Sequence, residues 1–315
     1  MRVVFMGTPD FAVPTLEALI EKHEVVGVVT QPDKRKGRGK AMAFSPVKEK
    51  ALEHEIPVYQ PVKVREEAFV QILRELDPEV IVVAAFGQIL PESILNMPKY
   101  GCINVHASLL PKYRGGAPVH YAILNGDEKT GVTIMYMVKK MDAGNIIYQK
   151  ETPIAYDETV GELYDRLSTL GAEAIVEAMP AIIEGTNASI PQDESKVTYS
   201  PVISREQEKI DFNRPAIEIY NHVRGLNPWP GAYTTYQGKT VKIYQGLVHN
   251  CPNAMTHHAH QEPGTIVKIF KDAIGVKVQD GVYIITEFQL EGKKRMLVKD
   301  YLNGHNIFEV DQKFE

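Results

Sequence analysis

The strongest constraint on what this chain can fold into is an alternation in its first half: short apolar runs take turns with segments of helical periodicity. Val3 to Met6, ending at Gly7, reads as a buried strand, and Val25 to Val29 as a second. Ile56 to Tyr59, Val80 to Ala85 and Gly101 to His106 supply three more. Between them lie helix signals. Asp10 is placed to cap a helix over Phe11 to Lys22, with Pro14 tolerated in its first turns. Ser45-Pro46 is a cap and first-turn pair for a helix to about His54, and Glu66 to Leu76 is helical as well. Apolar strands separated by amphipathic helices favour an α/β architecture, a mainly parallel sheet covered on both faces. Thr130 to Val138 and Asn145 to Ile154 add strands, and Thr159 to Glu184 reads as one long helix.

The character changes from Thr186 to Gln207, where Asn, Ser, Pro, Gln and charged residues dominate and a linker is expected. Beyond it, Thr240 to Tyr244, Gly264 to Ile269, Ile274 to Val278 and Val282 to Phe288 are short runs punctuated by Gly and Asn. They suit a small β-barrel after a helix at Pro215 to Leu226. The expected division is 1–186, a linker at 187–206, and a second domain at 207–315.

Charge and cysteine content remove several functions. The net charge is −5, so no global basic field exists and a nucleic-acid partner needs a local patch. From residue 207 on, 13 basic residues face 12 acidic ones, so the second half is near neutral while the first is acidic. Cys102 and Cys251 form no disulfide framework, which fits a reducing compartment. The opening MRVVFMG reads as strand and not as a leader, and no apolar run is long enough to span a bilayer, so cytoplasm is the expected location. Gly7 stands without a G-x-G-x-x-G or a P-loop, so no dinucleotide cofactor is expected. His249, Cys251, His257, His258 and His260 match no zinc spacing and read as a polar loop.

Two places carry chemistry. Asn104 and His106 are two residues apart on a strand, so they project to one face, and they end a parallel strand, where open α/β sheets bind ligands. Taken singly, each reads first as a capping Asn and a satisfied core histidine; it is their pairing at a strand end, beside a loop rich in Pro and Gly, that raises a site reading. Met141-Asp142-Ala143-Gly144 is first a turn signal, and Asp142 gains meaning only if it meets His106 in space. Lys34, Arg35, Lys36, Gly37, Arg38, Gly39 and Lys40 form a basic loop directly after the second strand, on the sheet edge where Asn104 and His106 lie. Such a run is often only solvated surface, but here its cations suit RNA phosphates and its glycines let the loop conform.

With Asn104-x-His106, Ser108-Leu109-Leu110-Pro111 and Asp142 together, the chain resembles the folate-dependent formyltransferase family. The resemblance covers most of the chain. It includes Val4 to Phe11, Thr30-Gln-Pro-Asp33 leading into the basic loop, and Gly225-Leu-Asn-Pro-Trp-Pro-Gly-Ala232, with no departure at the catalytic positions. It implies a Rossmann-like catalytic domain with a smaller C-terminal OB-like barrel that contacts tRNA. It implies catalytic roles for Asn104, His106 and Asp142, a folate-holding role for Ser108 to Pro111, and a tRNA-binding role for Lys34, Arg35, Lys36, Arg38 and Lys40. The expected co-substrate is 10-formyltetrahydrofolate and the expected acceptor is methionyl initiator tRNA, with no metal, membrane or DNA, in a monomer. In that chemistry an amine attacks a formyl carbon, an Asn amide donates to the oxyanion, a histidinium stabilises it, and a carboxylate orients the histidine. An amino sugar nucleotide as acceptor, or water as in a formyl-folate hydrolase, is the alternative within the family. A non-catalytic RNA-binding protein is the alternative outside it.

Overall fold

Val3 to Met6 are wholly buried, as the middle of a doubly covered sheet requires. They belong to strand β1 (Arg2–Gly7), which leads through helix α1 (Val13–Lys22) to β2 (Glu24–Val29). A short hairpin, β3 (Lys34–Lys36) and β4 (Ala41–Ala43), precedes α2 (Pro46–Glu53) and β5 (Val58–Tyr59). Then come α3 (Glu67–Leu76), β6 (Val80–Ala84), α4 (Glu92–Leu95) and β7 (Cys102–His106). After α5 (Pro118–Leu124), strands β8 (Lys129–Tyr136) and β9 (Ile146–Pro153) lead to the long helix α6 (Val160–Glu184). The computed structural model describes residues 1–36, 41–249, 260–304 and 306–315.

The seven-stranded sheet runs β5-β2-β1-β6-β7-β8-β9. Its first five strands are parallel, and β8 and β9 are antiparallel additions at one side. Val3 pairs with Val80, and Val83 with Asn104, so β1, β6 and β7 finish at the same edge. That alignment gathers the loops after three strands around the end of β7.

One local expectation fails. Asp10 does not cap a helix: Asp10–Ala12 form a 3-10 turn, and α1 starts at Val13 with no side-chain cap. The reason is crowding after β1. A Cβ on Gly7 would sit 2.7 Å from the Cβ of Ala12 and 2.8 Å from the Ala84 carbonyl, so the chain descends in the tighter turn. Ser45 does cap α2, its Oγ accepting from the Lys48 N–H at 3.1 Å.

Two compact units result. The first comprises Met1–Pro118, Lys129–Pro153 and Tyr164–Pro201. The second comprises Val119–Glu128, Ile154–Leu163 and Val202–Glu315. Residues 187–201, polar enough to read as a tether, are therefore part of the first unit. Ile146 and Ile190 exchange backbone hydrogen bonds, and residues 198–200 pair with residues 111–117.

In the second unit, α7 (Arg205–Glu208) and α8 (Ala216–Gly225) precede β10 (Ala232–Tyr236), β11 (Lys239–His249), β12 (Ile266–Ile269), β13 (Ile274–Val278), β14 (Gly281–Leu290) and β15 (Met296–Leu297). A last helix, α9, spans Val298–Leu302. The antiparallel sheet, ordered β10-β11-β14-β13-β12 with β15 on β14, is barrel-like. It wraps a core rich in aromatics, among them Tyr236, Tyr283, Phe288, Phe308 and Phe314. β10 escapes sequence reading because it follows the Pro-flanked Trp229 turn, and its alternation is carried by Ala232, Thr234 and Tyr236 in place of aliphatic residues.

Candidate active site

His106 ends β7, and its neighbour on the same face is Asn104. The Asn104 side chain is partly exposed, and its amide has no hydrogen-bond partner among the described residues. His106 is 6% exposed, and its Nε2 lies 2.9 Å from the Tyr113 carbonyl oxygen. A carbonyl only accepts, so Nε2 carries a proton and donates it. The other ring nitrogen, Nδ1, faces Asp142, with Oδ2 at 3.8 Å. That gap is longer than a hydrogen bond, so Nδ1 remains open to a third group. Asp142 is anchored: its Oδ2 accepts from the Gly115 N–H at 2.8 Å. The meeting of Asp142 with His106, left open by the sequence, is thus present.

Unusual backbone supports the meeting. Ala85, Tyr113 and Asp142 all have positive φ, at 47°, 62° and 50°. Among the described residues they are three of the seven non-glycine residues in that region, and all three lie on loops around the end of β7, which marks the edge as specially built. Gly144 approaches the backbone so closely that a Cβ would lie 1.7 Å from the Tyr136 carbonyl oxygen. Gly144 is therefore required by packing.

The stretch Ser108 to Pro111 is held from below. Ser108 is wholly buried, its Oγ donating to the Lys112 carbonyl at 2.6 Å, and its carbonyl accepting from Thr133 Oγ1 at 2.6 Å. The Leu110 N–H donates to the same Thr133 oxygen, and Gln149 Nε2 donates to the Leu110 carbonyl. The Leu110-Pro111 peptide is cis. In this arrangement Ser108 and Leu110 are struts of the loop, while Leu109 and Pro111 keep some exposure.

The loop after β6 joins the site although sequence reading passed over it. Val83 pairs with Asn104, so residues 85–91 leave the sheet beside it. Ile89 is 82% exposed, and Val138 and Met141, on the segment carrying Asp142, are exposed too. Sequence gave one signal for this loop, Gly87, whose φ is 85°. The backbone contributions of Tyr113 and Gly115 had none, since any residue offers a carbonyl. Cys102, on β7, takes no part: burial pushes its thiol up to about 12.

The basic segment begins as the β3–β4 hairpin, with Lys34 exposed; Arg38 and Lys40 lie outside the described residues. Its two ends are clamped. Thr30 Oγ1 and Ser45 Oγ are 2.7 Å apart, and Lys48 Nζ reaches Asp33 Oδ2 at 2.5 Å and Gln60 Oε1 at 2.9 Å. Lys48, then Gln60, hold the Asp33 carboxyl below its ordinary range. β2 and β7 are parallel members of one sheet, so the hairpin leaves from the same edge as Asn104 and His106. Most of the His249 to His260 stretch lies outside the described residues, and among the described residues no three potential ligands cluster around a metal position. No helix among the described residues is long and apolar enough to cross a membrane.

A formyl transferase family model matches residues 1–179, and the model of the C-terminal domain of formyl transferases matches residues 202–306. A methionyl-tRNA formyltransferase of Staphylococcus epidermidis is 51% identical over 304 residues, which is 96% of each chain. Among solved structures, an N-formyltransferase from Helicobacter canadensis, in complex with folinic acid and dTDP-3-aminofucose, superposes with a TM-score of 0.67 at 22% identity, covering 93% of this chain and 99% of that one. HypX from Aquifex aeolicus, in complex with tetrahydrofolic acid, gives 0.62 at 17% identity over 96% of this chain and 47% of that one. At those identities the two structures speak for the fold alone.

Proposed function

The chain belongs to the formyl transferase family, and from that premise we propose that it transfers the formyl group of 10-formyltetrahydrofolate to the α-amine of methionyl initiator tRNA. The observation that carries the reading is the convergence of Asn104, His106 and Asp142 at one strand end. The acceptor comes from similarity along nearly the whole chain to a relative of that activity.

The site residues divide the work. The amine attacks the formyl carbon and the carbonyl oxygen becomes an oxyanion. Asn104, whose amide is uncommitted, donates to it. His106 has one N–H tied to Tyr113, so the nitrogen that serves the reaction is Nδ1, between substrate and Asp142. Protonated there, the ring directs an N–H at the oxyanion and faces a carboxylate that balances its charge. The acceptor nitrogen gives up one proton and folate N10 takes one, so the net step needs no metal and no covalent intermediate. Ile89, Val138 and Met141 offer the apolar surface that a flat folate ring needs. Lys34, Arg35, Lys36, Arg38 and Lys40 of the basic segment bind the acceptor end of the tRNA, at the cytoplasmic site of translation.

The test incubates the purified protein with 10-formyltetrahydrofolate and charged methionyl initiator tRNA and measures formyl-methionine. Rapid transfer that needs the charged tRNA supports the reading. Release of tetrahydrofolate with an amino sugar nucleotide, or with water alone, keeps the catalytic site and removes the acceptor.

A further inference from the structure

Gln192 has every hydrogen-bonding position of its amide in use. Its Oε1 accepts from Nε and Nη2 of Arg114 at 3.0 and 2.8 Å. Its Nε2 donates to the carbonyls of Asp142 and Gly144 at 2.7 and 2.9 Å. One side chain thus clasps the turn that carries Asp142 and the guanidinium of Arg114, which is wholly buried.

Arg114 stands between the two backbone groups that build the reacting pair. The Tyr113 carbonyl accepts a hydrogen bond from His106 Nε2, and the Gly115 N–H donates to Asp142. Its own backbone is gripped by the same segment that bears Gln192: the Arg114 N–H donates to the Thr198 carbonyl at 2.9 Å, and the Ser200 N–H donates to the Arg114 carbonyl at 2.8 Å. A Cβ at Gly115 would sit 2.8 Å from the Ser200 carbonyl oxygen, so the two strips are in close contact. The far end of the guanidinium meets Glu194, whose side chain is mostly exposed and also pairs with Lys140. Glu194 serves the solvent side, and Gln192 the side toward Asp142.

We propose that Gln192 is a positioning residue for formyl transfer: by tying Arg114 to the Asp142–Gly144 turn, it sets the spacing of His106 and Asp142. The polar stretch around residue 192 is then a strap that assembles the catalytic pair, and its composition reflects that duty. A buried guanidinium needs partners whatever its role. What singles out Gln192 is that its two donors go to the carbonyls of the catalytic turn, where no charge demands them. The inference rests on reading His106 and Asp142 as the reacting pair.

Two variants separate the roles of the amide. Gln192→Met removes both ends of the clasp. Gln192→Glu keeps the acceptor for Arg114 and sets a carboxylate oxygen against two carbonyls. We expect both to fold, and both to lower kcat by roughly 10- to 100-fold, the cost of a small misplacement of reacting groups, with KM for folate and tRNA little changed. In an Asp142→Asn background the further loss from Gln192→Met should nearly vanish, because the group being positioned is already gone. Nitrogen-15 NMR of the labelled histidines should show the His106 ring signals moving in both variants. Parental kcat and parental His106 signals in the folded variants would overturn the proposal, as would an equal loss in the two backgrounds. If the unaltered protein fails to formylate methionyl-tRNA, the acceptor reading falls, while the imidazole signals still decide the case of Gln192.

Discussion

The two units each bury a histidine, and the contrast between them shows how this molecule separates chemistry from packing. His106 in the first unit and His120 in the second are 6% and 7% exposed. His106 has oxygen near both ring nitrogens, the Tyr113 carbonyl and the Asp142 carboxylate. His120 lies against Trp229, ring centroids 4.7 Å apart, and its Nε2 has no partner among the described residues. Burial pulls the His120 pKa down to about 4, a hydrogen bond with the Trp229 backbone opposing it only in part. Equal burial therefore yields one ring flanked by oxygen at both nitrogens and one ring held neutral. The difference lies in the partners, not in the exposure.

Exchanging the imidazoles for amides tests that contrast most directly. His106→Gln should cut formyl transfer by roughly 10³-fold at nearly unchanged melting temperature, whereas His120→Gln should leave kcat close to parental. A similar loss from both would mean that exposure alone was being read. Asn104→Ala comes next, with an expected loss of roughly 10²- to 10³-fold in turnover if its free amide is the main oxyanion donor. A near-normal rate in single-turnover assays would remove Asn104 from that role.

The second unit offers the pH test. The folded state holds His120 near 4, against 6.5 for an ordinary histidine, so the unfolded chain binds the proton first. The stabilisation is complete above pH 6.5 and is lost as pH falls toward 4, a difference of up to about 3 kcal/mol. Melting temperatures of the parent and His120→Gln should converge or cross over that interval. His222, also held down by burial, contributes a similar slope to both proteins and drops out of the difference. Parallel curves would count against a buried neutral His120. The smallest effect is expected from Tyr283→Phe. The Tyr283 hydroxyl is buried without a partner among the described residues, so removing it should change stability by less than about 1 kcal/mol, or raise it. A loss of several kcal/mol in denaturant unfolding would reveal a partner for it.

Much of this was readable in advance for a physical reason. Val3 to Met6 and Val80 to Ala84 are apolar on both faces, the pattern of strands in a sheet covered on both sides, so these strands are legible from local composition, whereas the antiparallel direction of β8 and β9 is not. Asn104 and His106 share a face by the period of a strand alone. The Ser45 cap depends on three consecutive residues. Asp10 misled because the missing information, the approach of Gly7 to Ala12 and Ala84, spans distant segments.

Neighbours along the chain were enough for the mainly parallel sheet, the edge where a ligand is expected, and which residue types stand there, because periodicity is a local property. Only the folded chain shows which nitrogen of His106 is free, that Asp142 faces it across 36 positions, and that Gln192 bonds both Arg114 and the Asp142–Gly144 turn. Those facts depend on backbone carbonyls and N–H groups, which every residue carries alike, and on where folding brings them.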